Sequence, residues 1–589
     1  MTRRAPSTAS PHESVLSLRQ QLSDTLSAMS ASSASPSLPS PTPAAAAAMP
    51  APTSSSPSSS PSPARTKNFI LADMEGRAPG TTALAPGEIG QVNWHLPEDQ
   101  ACRLCQVARC EPEAFTKPFC DFLQENPTVF HTVDYFKRKL NHAGFRELPA
   151  RDSWADKVQP GGKYWVSRNG SSLVAFAVGR DYKAGNGAAM IGGHIDALTA
   201  RLKPVSTRPS KAGYLQLGVA PYAGGLNQTW WDRDLCIGGR VVVRDAATGK
   251  TSSRLVRVDW PVAKIPTLAP HFGVGMFGQN NKETQAVPVI GLESAGADAA
   301  DKAAPLGPPG AFVNSQPPRL VRLICKQLGV TDYTSVLNWE LELYDSQPAQ
   351  TCGIDREFIT GGRIDDKLCS WPALMALIAS SADSDHDQQH ASKSGGGGDD
   401  GYIKVVALFD DEEIGSLLRQ GAKSNFLPLV VERAVEALNP STYGPGLLGQ
   451  TYARSFLLSA DVTHAGNPNF LESYLGGHVP RLNVGVTICG DSNGHMTTDA
   501  VSTAILRRAA ELCGATTQDF QIRNDSRSGG THRPVAVEHD GRAGRRRGHP
   551  QLSMHSIRAT TGALDPGLGV KFFKGFLDNW EKIDGEWEH

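Results

Sequence analysis

The chain has 589 residues, enough for two or three domains with sizeable hydrophobic cores. Its formal net charge of −1 gives no electrostatic reason to expect binding to nucleic acid or to an acidic membrane surface. No apolar run approaches the roughly 18 residues of a membrane-spanning helix, and the N-terminus lacks the apolar core of a secretory signal peptide. These features predict cytoplasmic synthesis, no transmembrane segment and no nucleic-acid partner.

The first 65 residues differ in composition from the rest of the chain. Apolar side chains recur at three- and four-residue steps over residues 14–29, which predicts a short amphipathic helix. Residues 30–64 are almost entirely Ser, Pro and Ala, so they bury too little apolar surface to offset their chain entropy, and we predict a disordered tether. A single helix of this length is marginal in water, so we expect it to bind a partner or a second copy of itself.

The folded part is predicted to be one domain interrupted by another. Its two parts, residues 66–203 and 353–589, contain helical patterns and apolar strand patterns, including a hairpin around Asn169-Gly170. Between them, residues 204–352 carry short β-like runs such as GGRVVVRD, separated by Gly- and Pro-rich turns. We therefore predict an α/β domain with an inserted β-rich domain.

The most informative stretch begins with the apolar run from Tyr402 to Phe409. Its β-branched residues predict a strand buried on both faces, as in a parallel sheet covered by helices. Four carboxylates follow at once, and adjacent anions repel one another unless a cation neutralises them: Asp410, Asp411, Glu412 and Glu413. Strand ends are also where open α/β sheets bind ligands. A solvated acidic turn is the alternative, so the other strand ends decide between the two interpretations.

Other predicted strands also stop at residue types that bind metals. The apolar runs at residues 188–191 and 455–460 both do so, and further candidates lie where the α/β pattern resumes after the inserted domain and near the C-terminus. The set collected in this way is His194, Asp365, Glu412, Glu413, Asp461 and His555. Imidazole and carboxylate together suit Zn²⁺, Mn²⁺ or Co²⁺, and the mixture is too rich in nitrogen for Mg²⁺ alone.

The number of candidates indicates what such a site could do. Five ligands with one bridging carboxylate match a pair of ions about 3.5–4 Å apart that hold a water between them. One glutamate is left over, and a base is needed to take the proton from that water. Ordinary surface roles stay open at this point, because an isolated acidic turn or a His-x-Asp pair such as His194 and Asp196 is common.

A serine hydrolase is a second interpretation. Gly490 to Gly494 fits the G-x-S-x-G pattern of a nucleophile elbow, with Ser492 as nucleophile and His495 or His555 as base. The pattern is short, and clusters of Gly, Ser, Asn and Asp are typical of ordinary loops. It would leave the four clustered carboxylates without a role. A binding or scaffold protein with a decayed site is a third class.

The longer motifs around these residues resemble the M18 metalloaminopeptidases, and within them the fungal vacuolar aminopeptidase I branch. The similarity runs from about residue 113 to the C-terminus, in motifs that include GGHIDALTARLKPVS, WWDRDLCIGGR, IPTLAPHFG, GRIDDKLCSWPAL, ALFDDEEIGSLLRQGAK, SADVTHAGNPNF and QLSMHSIRATTG. The resemblance implies a zinc exopeptidase fold, in which a doubly wound, mostly parallel sheet carries an inserted β-rich domain used in assembly.

The resemblance also implies an activity and a set of site residues. The family members are aminopeptidases that remove the N-terminal residue of peptides. Each enzyme subunit uses two zinc ions, for which Co²⁺ or Mn²⁺ could substitute. The positions that match the family's metal ligands, with Asp365 as the bridging residue, are His194, Asp365, Glu413, Asp461 and His555.

Three further residues match functional positions of the family. Glu412 matches the general base that activates the bridging water, and Asp196 matches the carboxylate that orients His194. His271 matches the histidine that the inserted domain lends to a neighbouring subunit's site. If this role of His271 holds, a lone monomer should be inactive. Because the family forms tetrahedral dodecamers, the resemblance also implies a homo-oligomer of twelve subunits.

Substrate preference and targeting are also suggested by the resemblance. The branch that prefers acidic residues carries a lysine in the segment corresponding to Asn483–Asp491, which has no basic residue here, and Cys489 falls near that position. We therefore expect a preference for neutral, apolar N-terminal residues such as leucine, with an aminopeptidase for aspartate or glutamate as the alternative. The N-terminal extension resembles a propeptide, whose helix would bind a selective-autophagy receptor that delivers the enzyme to the vacuole.

Residues 532–550 depart from the family pattern. The family has an apolar stretch and a buried strand here, whereas this chain reads HRPVAVEHDGRAGRRRGHP. We interpret the segment as a compensated reading-frame change, either in the gene model or in the gene. A charged, Gly-rich segment at a core strand position is costly, so a catalytically impaired scaffold is a further alternative.

Overall fold

The computed structural model describes residues 111–272, 280–293, 305–386, 400–492, 498–526 and 546–587. The predicted N-terminal helix and tether lie outside the described residues, as do residues 66–110 and the part of the divergent segment at residues 532–545.

The elements of this part of the chain are as follows. The strands are β1 (Arg146–Glu147), β2 (Lys163–Arg168), β3 (Ser172–Val178), β4 (Ala188–His194), β5 (Thr199–Thr207), β6 (Tyr214–Tyr222), β7 (Asp234–Arg244), β8 (Thr251–Lys264), β9 (Val289–Leu292), β10 (Val336–Asp345), β11 (Gln350–Cys352), β12 (Phe358–Gly361), β13 (Ile403–Phe409), β14 (Phe456–Ala460), β15 (Thr463–His464), β16 (Val486–Gly490), β17 (Thr517–Gln521), β18 (Arg546–Gly548), β19 (Pro550–Gln551) and β20 (Ala559–Gly562). The helices are α1 (Thr116–Glu125), α2 (Val129–His142), α3 (Pro318–Leu328), α4 (Ile364–His386), α5 (Phe426–Leu438), α6 (Pro445–Ala453), α7 (Ala500–Cys513) and α8 (Asp565–Gly585). None of the described helices is long and apolar enough to cross a membrane.

One sheet of nine strands organises the α/β part of the chain, in the order β1-β2-β3-β13-β4-β14-β18-β16-β17. The apolar run identified in the sequence forms β13, all of it buried. Because successive side chains of a strand point to opposite faces, Val406 and Leu408 join the core that includes α4 and α8. Val405 and Ala407 join the core on the other face, which includes α5 and α6. Helices therefore cover both faces, and the predicted α/β fold class is confirmed.

The three central strand pairs β13–β4, β4–β14 and β14–β18 are parallel. Their parallel direction brings the strand ends together at one edge of the sheet. The predicted hairpin joins β2 and β3, and Asn169 and Gly170 both take positive φ angles of 59° and 67°. Asn and Gly tolerate this backbone region better than other residues, which is why the pair marks such turns.

Residues 199–345 contain a closed antiparallel barrel of six strands, in the order β10-β5-β6-β9-β8-β7. Its buried core contains side chains of every barrel strand except β9, and it includes the apolar face of α3. Strand β5 begins at Thr199, ahead of the boundary predicted at residue 204. Only Ile195 to Leu198 separate it from β4, so the chain passes directly from the end of a strand of the nine-stranded sheet into the barrel.

The end of the divergent segment supplies an interior strand of the large sheet. Strand β18 pairs with β14 on one side and with β16 on the other. Gly548 approaches the backbone of Asp461 so closely that a Cβ at this position would collide with its carbonyl oxygen. His549 follows with no exposed surface, and neither ring nitrogen has a hydrogen-bond partner among the described residues. The segment thus lies where polar groups are costly to bury.

Candidate metal centre

The candidate ligands converge because they follow neighbouring parallel strands. His194 is the last residue of β4 and pairs in register with Phe409, the last residue of β13. Strand β14, on the other side of β4, ends one residue before Asp461. Side chains that leave these strands therefore meet at the same edge of the sheet, as open α/β sheets predict.

The first of two ligand groups is formed by His194, Asp365 and Asp461, all buried. The Nε2 atom of His194 lies 3.4 Å from Oδ1 of Asp365 and 3.7 Å from Oδ1 of Asp461. One ligand atom from each residue lies within 4.8 Å of the others, close enough for one ion to contact all three.

The second group consists of Asp365, Glu413 and His555. The Nε2 atom of His555 lies 3.6 Å from Oδ2 of Asp365 and 3.6 Å from Oε2 of Glu413. Asp365 therefore presents one carboxylate oxygen to each histidine. The His555 side chain is 53% exposed, whereas that of His194 is 3% exposed, so the second group lies nearer the solvent.

Glu412 lies beside the first group. Its Oε2 atom is 3.7 Å from Nε2 of His194, and the residue is buried. Asp411, which precedes it, takes a left-handed conformation with φ of 56° and caps a short 3-10 helix, Glu412–Ile414. This sharp turn at the end of β13 directs two consecutive glutamates to the same centre.

Asp196 connects the two glutamates with His194. Its Oδ1 atom lies 3.2 Å from Nδ1 of His194 and accepts the Glu412 N–H at 3.1 Å. Its Oδ2 atom accepts the Glu413 N–H at 3.1 Å and the hydroxyl of Tyr222 at 2.7 Å. Burial acts to raise the pKa of Asp196, but its hydrogen bonds with His194 and Tyr222, among others, hold it below the usual value. Asp196 is thus an ionised acceptor that orients the His194 ring.

The electrostatics of the centre favour a bound cation. Burial, and then the charge of Asp365, raise the pKa of Glu413 well above its usual value. Burial and the charge of Asp461 do the same for Asp366. The Oε1 atom of Glu413 is buried without a hydrogen-bond partner among the described residues. Carboxylates with unpaired oxygens beside two imidazoles fit divalent ions such as Zn²⁺, which takes nitrogen and oxygen ligands.

Two neighbours of Asp365 were not assigned by sequence reasoning, although both belong to its motif. Asp366 accepts the backbone N–H of His194 at 3.3 Å. Lys367 donates to the carbonyl of Ile195 at 3.1 Å, and burial lowers its pKa to about 7. Both side chains hold the turn after β4 against the start of α4. The run of three charged residues, Asp365 to Lys367, at the start of an otherwise apolar helix was the signal that could have identified them.

The remaining sequence candidates among the described residues are not members of either ligand group. His271 is exposed in a 3-10 helix, Pro270–Phe272, where its ring stacks on Phe272 with centroids 5.0 Å apart. Its predicted role at a neighbouring subunit stays a prediction. Ser492 follows β16 and is exposed, and the rest of the elbow pattern, including His495, lies outside the described residues.

The fold and the donor set define a class, the α/β proteins that can hold divalent metal ions where parallel strands end. Comparison with known families then identifies the family. The model described as "Aminopeptidase I zinc metalloprotease (M18)" matches residues 122–577, which is more than half of the chain. The chain therefore belongs to the M18 family of zinc aminopeptidases, and the resemblance of its motifs is confirmed. Membership of a zinc aminopeptidase family does not favour the serine hydrolase interpretation of this chain.

Individual relatives support the assignment. "Vacuolar aminopeptidase 1" of Saccharomyces cerevisiae is 41% identical over 476 residues, which cover 80% of this chain and 90% of the relative. "Aspartyl aminopeptidase" of Aspergillus oryzae is 37% identical over 487 residues, which cover 78% of this chain and 95% of the relative. Both names occur among similar proteins, so similarity alone leaves the substrate preference undecided.

Solved structures share the fold. The structure of Chaetomium thermophilum mApe1 aligns with a TM-score of 0.72 and 59% identity, covering 81% of this chain and 100% of that chain. The structure of the S. cerevisiae mApe1 dodecamer aligns with a TM-score of 0.69 and 37% identity, covering 80% of this chain and 98% of that chain. At least one similar protein is therefore a dodecamer.

Proposed function

We propose that this chain uses two bound zinc ions to hydrolyse the N-terminal residue from peptides, and that Co²⁺ or Mn²⁺ can substitute for the zinc. The observation that carries the proposal is the pair of ligand groups that share Asp365. His194 approaches one oxygen of this carboxylate and His555 approaches the other. A carboxylate between two histidines is the arrangement expected of a bridging ligand in a two-metal site.

In this proposal the residues divide into ligands, a base and an orienting residue. The ligands of the two ions are His194, Asp365, Glu413, Asp461 and His555. Zinc held by these residues would polarise the first peptide carbonyl and acidify a water. Glu412 takes the proton from that water and delivers it to the leaving amine. The hydrogen bond from its N–H to Asp196 holds Glu412 beside His194, so Asp196 fixes the proposed base relative to one of the proposed ligands.

The role of Glu412 is tested by Glu412→Gln, which keeps the side-chain shape and removes the basic carboxylate. We expect turnover of a leucine-linked chromogenic amide to fall ~10²–10⁴-fold, with zinc content and assembly unchanged. Glu436→Gln, on the exposed side of α5, is the matched control and should keep full turnover. Full turnover in Glu412→Gln would show that Glu412 is not the general base. Wild-type protein that retains fewer than two zinc ions per chain would contradict the two-ion site.

We propose a preference for neutral, apolar N-terminal residues such as leucine. Support comes from the segment from Asn483 to Asp491, which includes β16 and offers no cation to a substrate carboxylate. Cys489 is buried there, with its Sγ atom 3.4 Å from Oγ1 of Thr463, just after the candidate ligand Asp461. The second candidate is an aminopeptidase for aspartate or glutamate, which the name of the Aspergillus relative favours. A higher kcat/KM for the aspartate-linked amide than for the leucine-linked amide would select it.

We also propose that the active form is a dodecamer in which His271 reaches a neighbouring subunit's site. The exposed position of His271 on the barrel supports this, since the residue is far in sequence from the ligands and available at the surface. Mass photometry of the full chain should show twelve subunits. His271→Ala should retain zinc and lose turnover, and an active monomer would contradict the proposal.

Delivery to the vacuole is the remaining part of the proposal. The predicted helix over residues 14–29 would bind a selective-autophagy receptor, and it lies outside the described residues. Removal of residues 1–64 should leave peptidase activity intact and prevent arrival of the protein in the vacuole. Normal delivery of the shortened chain to the vacuole, as observed by microscopy, would contradict a targeting role.

A further inference from the structure

One short segment of the barrel, residues 222–229, contacts both histidine-bearing parts of the metal centre. It contains Tyr222 at the end of β6, the turn that follows, and the beginning of a 3-10 helix, Gln228–Trp230. We propose that this segment positions both histidines, so that the inserted domain sets the affinity for zinc in addition to any part in assembly. The inference rests on the two-ion function proposed above.

The first contact acts on His194 through Asp196. Tyr222 is buried, and its hydroxyl donates to Oδ2 of Asp196 at 2.7 Å, while Oδ1 of the same carboxylate faces Nδ1 of His194 at 3.2 Å. The guanidinium of Arg201 lies 3.7 Å from the centre of the Tyr222 ring. The tyrosine is thereby held between a cation and an anion. It fixes the rotation of the carboxylate, and the carboxylate fixes the imidazole.

The second contact acts on the backbone that carries His555. The side-chain amide of Asn227 donates to the carbonyl oxygen of His555 at 2.8 Å. The hydroxyl of Thr229 accepts the N–H of Ile557 at 2.9 Å. The other end of the Asn227 amide accepts the N–H of Thr229 at 3.0 Å, so the amide is fixed on both sides. Asn227 and Thr229, two residues apart in the chain, therefore hold the loop on either side of residue 556.

His555 depends on such support more than His194 does. Its side chain is 53% exposed, so packing restrains it less. Its backbone takes the left-handed conformation with φ of 63°, which is uncommon for residues other than glycine, although histidine adopts it more often than most. A conformation of this kind persists where the surrounding structure holds it. The contacts from Asn227 and Thr229 provide that restraint.

The two contacts should act mainly on different ions, because His194 and His555 belong to different ligand groups. Tyr222→Phe removes the hydroxyl that donates to Asp196. Asp196 also accepts the N–H of Glu413, so this variant should weaken the ion held with His194 most, with a smaller effect on the other ion. Asn227→Asp keeps the oxygen that accepts from Thr229 and loses the N–H that donates to His555. It should weaken the ion held with His555. If the barrel only stabilised the fold, these variants would not change the affinity for one ion more than for the other.

The experiment is a zinc titration of the full chain after removal of metal with a chelator, with a chromophoric chelator as competitor. We expect one of two zinc ions to bind ~10–100-fold more weakly in Asn227→Asp, the range known for partners of metal ligands, and the other to bind as in wild type. Asn338→Asp makes the same change at an exposed barrel residue whose oxygen also accepts a backbone N–H, and it should bind both ions normally. Thr229→Val should reproduce the defect, and Thr229→Ser should restore it.

A double-mutant cycle assigns the ion that is affected. In a His555→Ala background, Asn227→Asp should have no further effect on zinc binding. In a His194→Ala background it should still weaken the remaining ion. The proposal is overturned if Asn227→Asp and Thr229→Val both bind zinc like Asn338→Asp, or if they weaken both ions equally. Wild-type protein that binds fewer than two ions would instead overturn the two-ion function, so the two failures are distinguishable.

Discussion

His131 is a partly buried titratable group outside the metal centre, and it should make the stability of the fold depend on pH. It lies in the first turn of α2, where its Nδ1 atom is 2.7 Å from the hydroxyl of the N-cap residue Thr128. Burial, and then the positive charge of Arg257, lower its pKa from 6.5 to about 4. The partial positive charge at a helix N-terminus also disfavours the protonated ring.

The sign of the effect follows from the lowered pKa. Between pH 6.5 and about 4 the unfolded chain binds a proton at His131 that the folded chain does not bind. The folded state therefore keeps its full stability above pH 6.5 and loses part of it as the pH falls towards 4. With these two pKa values, a change from pH 8 to pH 5 should cost about 2 kcal/mol of unfolding free energy at this residue alone.

His131→Gln removes the titration and keeps a polar side chain in the first turn. Urea unfolding of chelator-treated protein at pH 8 and pH 5 should show a stability loss about 2 kcal/mol smaller in the variant than in wild type. The comparison cancels the titration of the metal ligands, which both proteins share. His142→Gln, at the exposed end of the same helix, should keep the wild-type dependence on pH. Equal losses in wild type and His131→Gln would refute the reasoning.

Three further changes test the core, the divergent segment and the alternative nucleophile. Trp371→Ala removes a fully buried ring packed against aromatic residues of α1, so urea unfolding should show a loss of ~3–5 kcal/mol, and a loss below about 1 kcal/mol would contradict the packing. Gly548→Ala places a Cβ against the carbonyl of Asp461, so it should cost ~1–3 kcal/mol and weaken zinc binding; unchanged zinc affinity would show that Asp461 does not depend on this contact. Ser492→Ala should keep full peptidase activity while chelation abolishes it, and the reverse result would support the serine hydrolase.

The arrangement of ligands at the strand ends could be predicted because it follows from local patterns. Short apolar runs identified β4, β13 and β14, and parallel neighbours in an α/β sheet present their carboxyl ends at one edge. His194, Glu413 and Asp461 therefore had to lie near one another if the runs were strands of the same sheet. The structure places them there, and each belongs to a group of candidate ligands that includes Asp365. The assignment of Glu412 as base and the others as ligands came from the family motifs.

The inserted domain was predicted as β-rich, but its closure into a barrel and its contacts with the site were not. The hydrogen bonds of Tyr222 and Asn227 to the catalytic part join residues separated by 26 and 328 positions in the chain. No periodicity or turn pattern marks such a residue, since an isolated Tyr or Asn is common in any strand or turn. The start of β5 at Thr199 was also missed, because the strand begins immediately after the turn that carries Asp196.

Apolar periodicity, turn residues and family motifs thus determined the α/β class, the existence of an inserted β-rich domain and the set of candidate ligands. Those features depend on interactions between residues close in the chain, which leave a pattern in the order of amino acids. The tertiary structure alone decided that Asp365 lies between His194 and His555, that β18 enters the large sheet, and that the barrel supports both histidines. These depend on contacts between distant residues, and their geometry is set only when the two domains pack together.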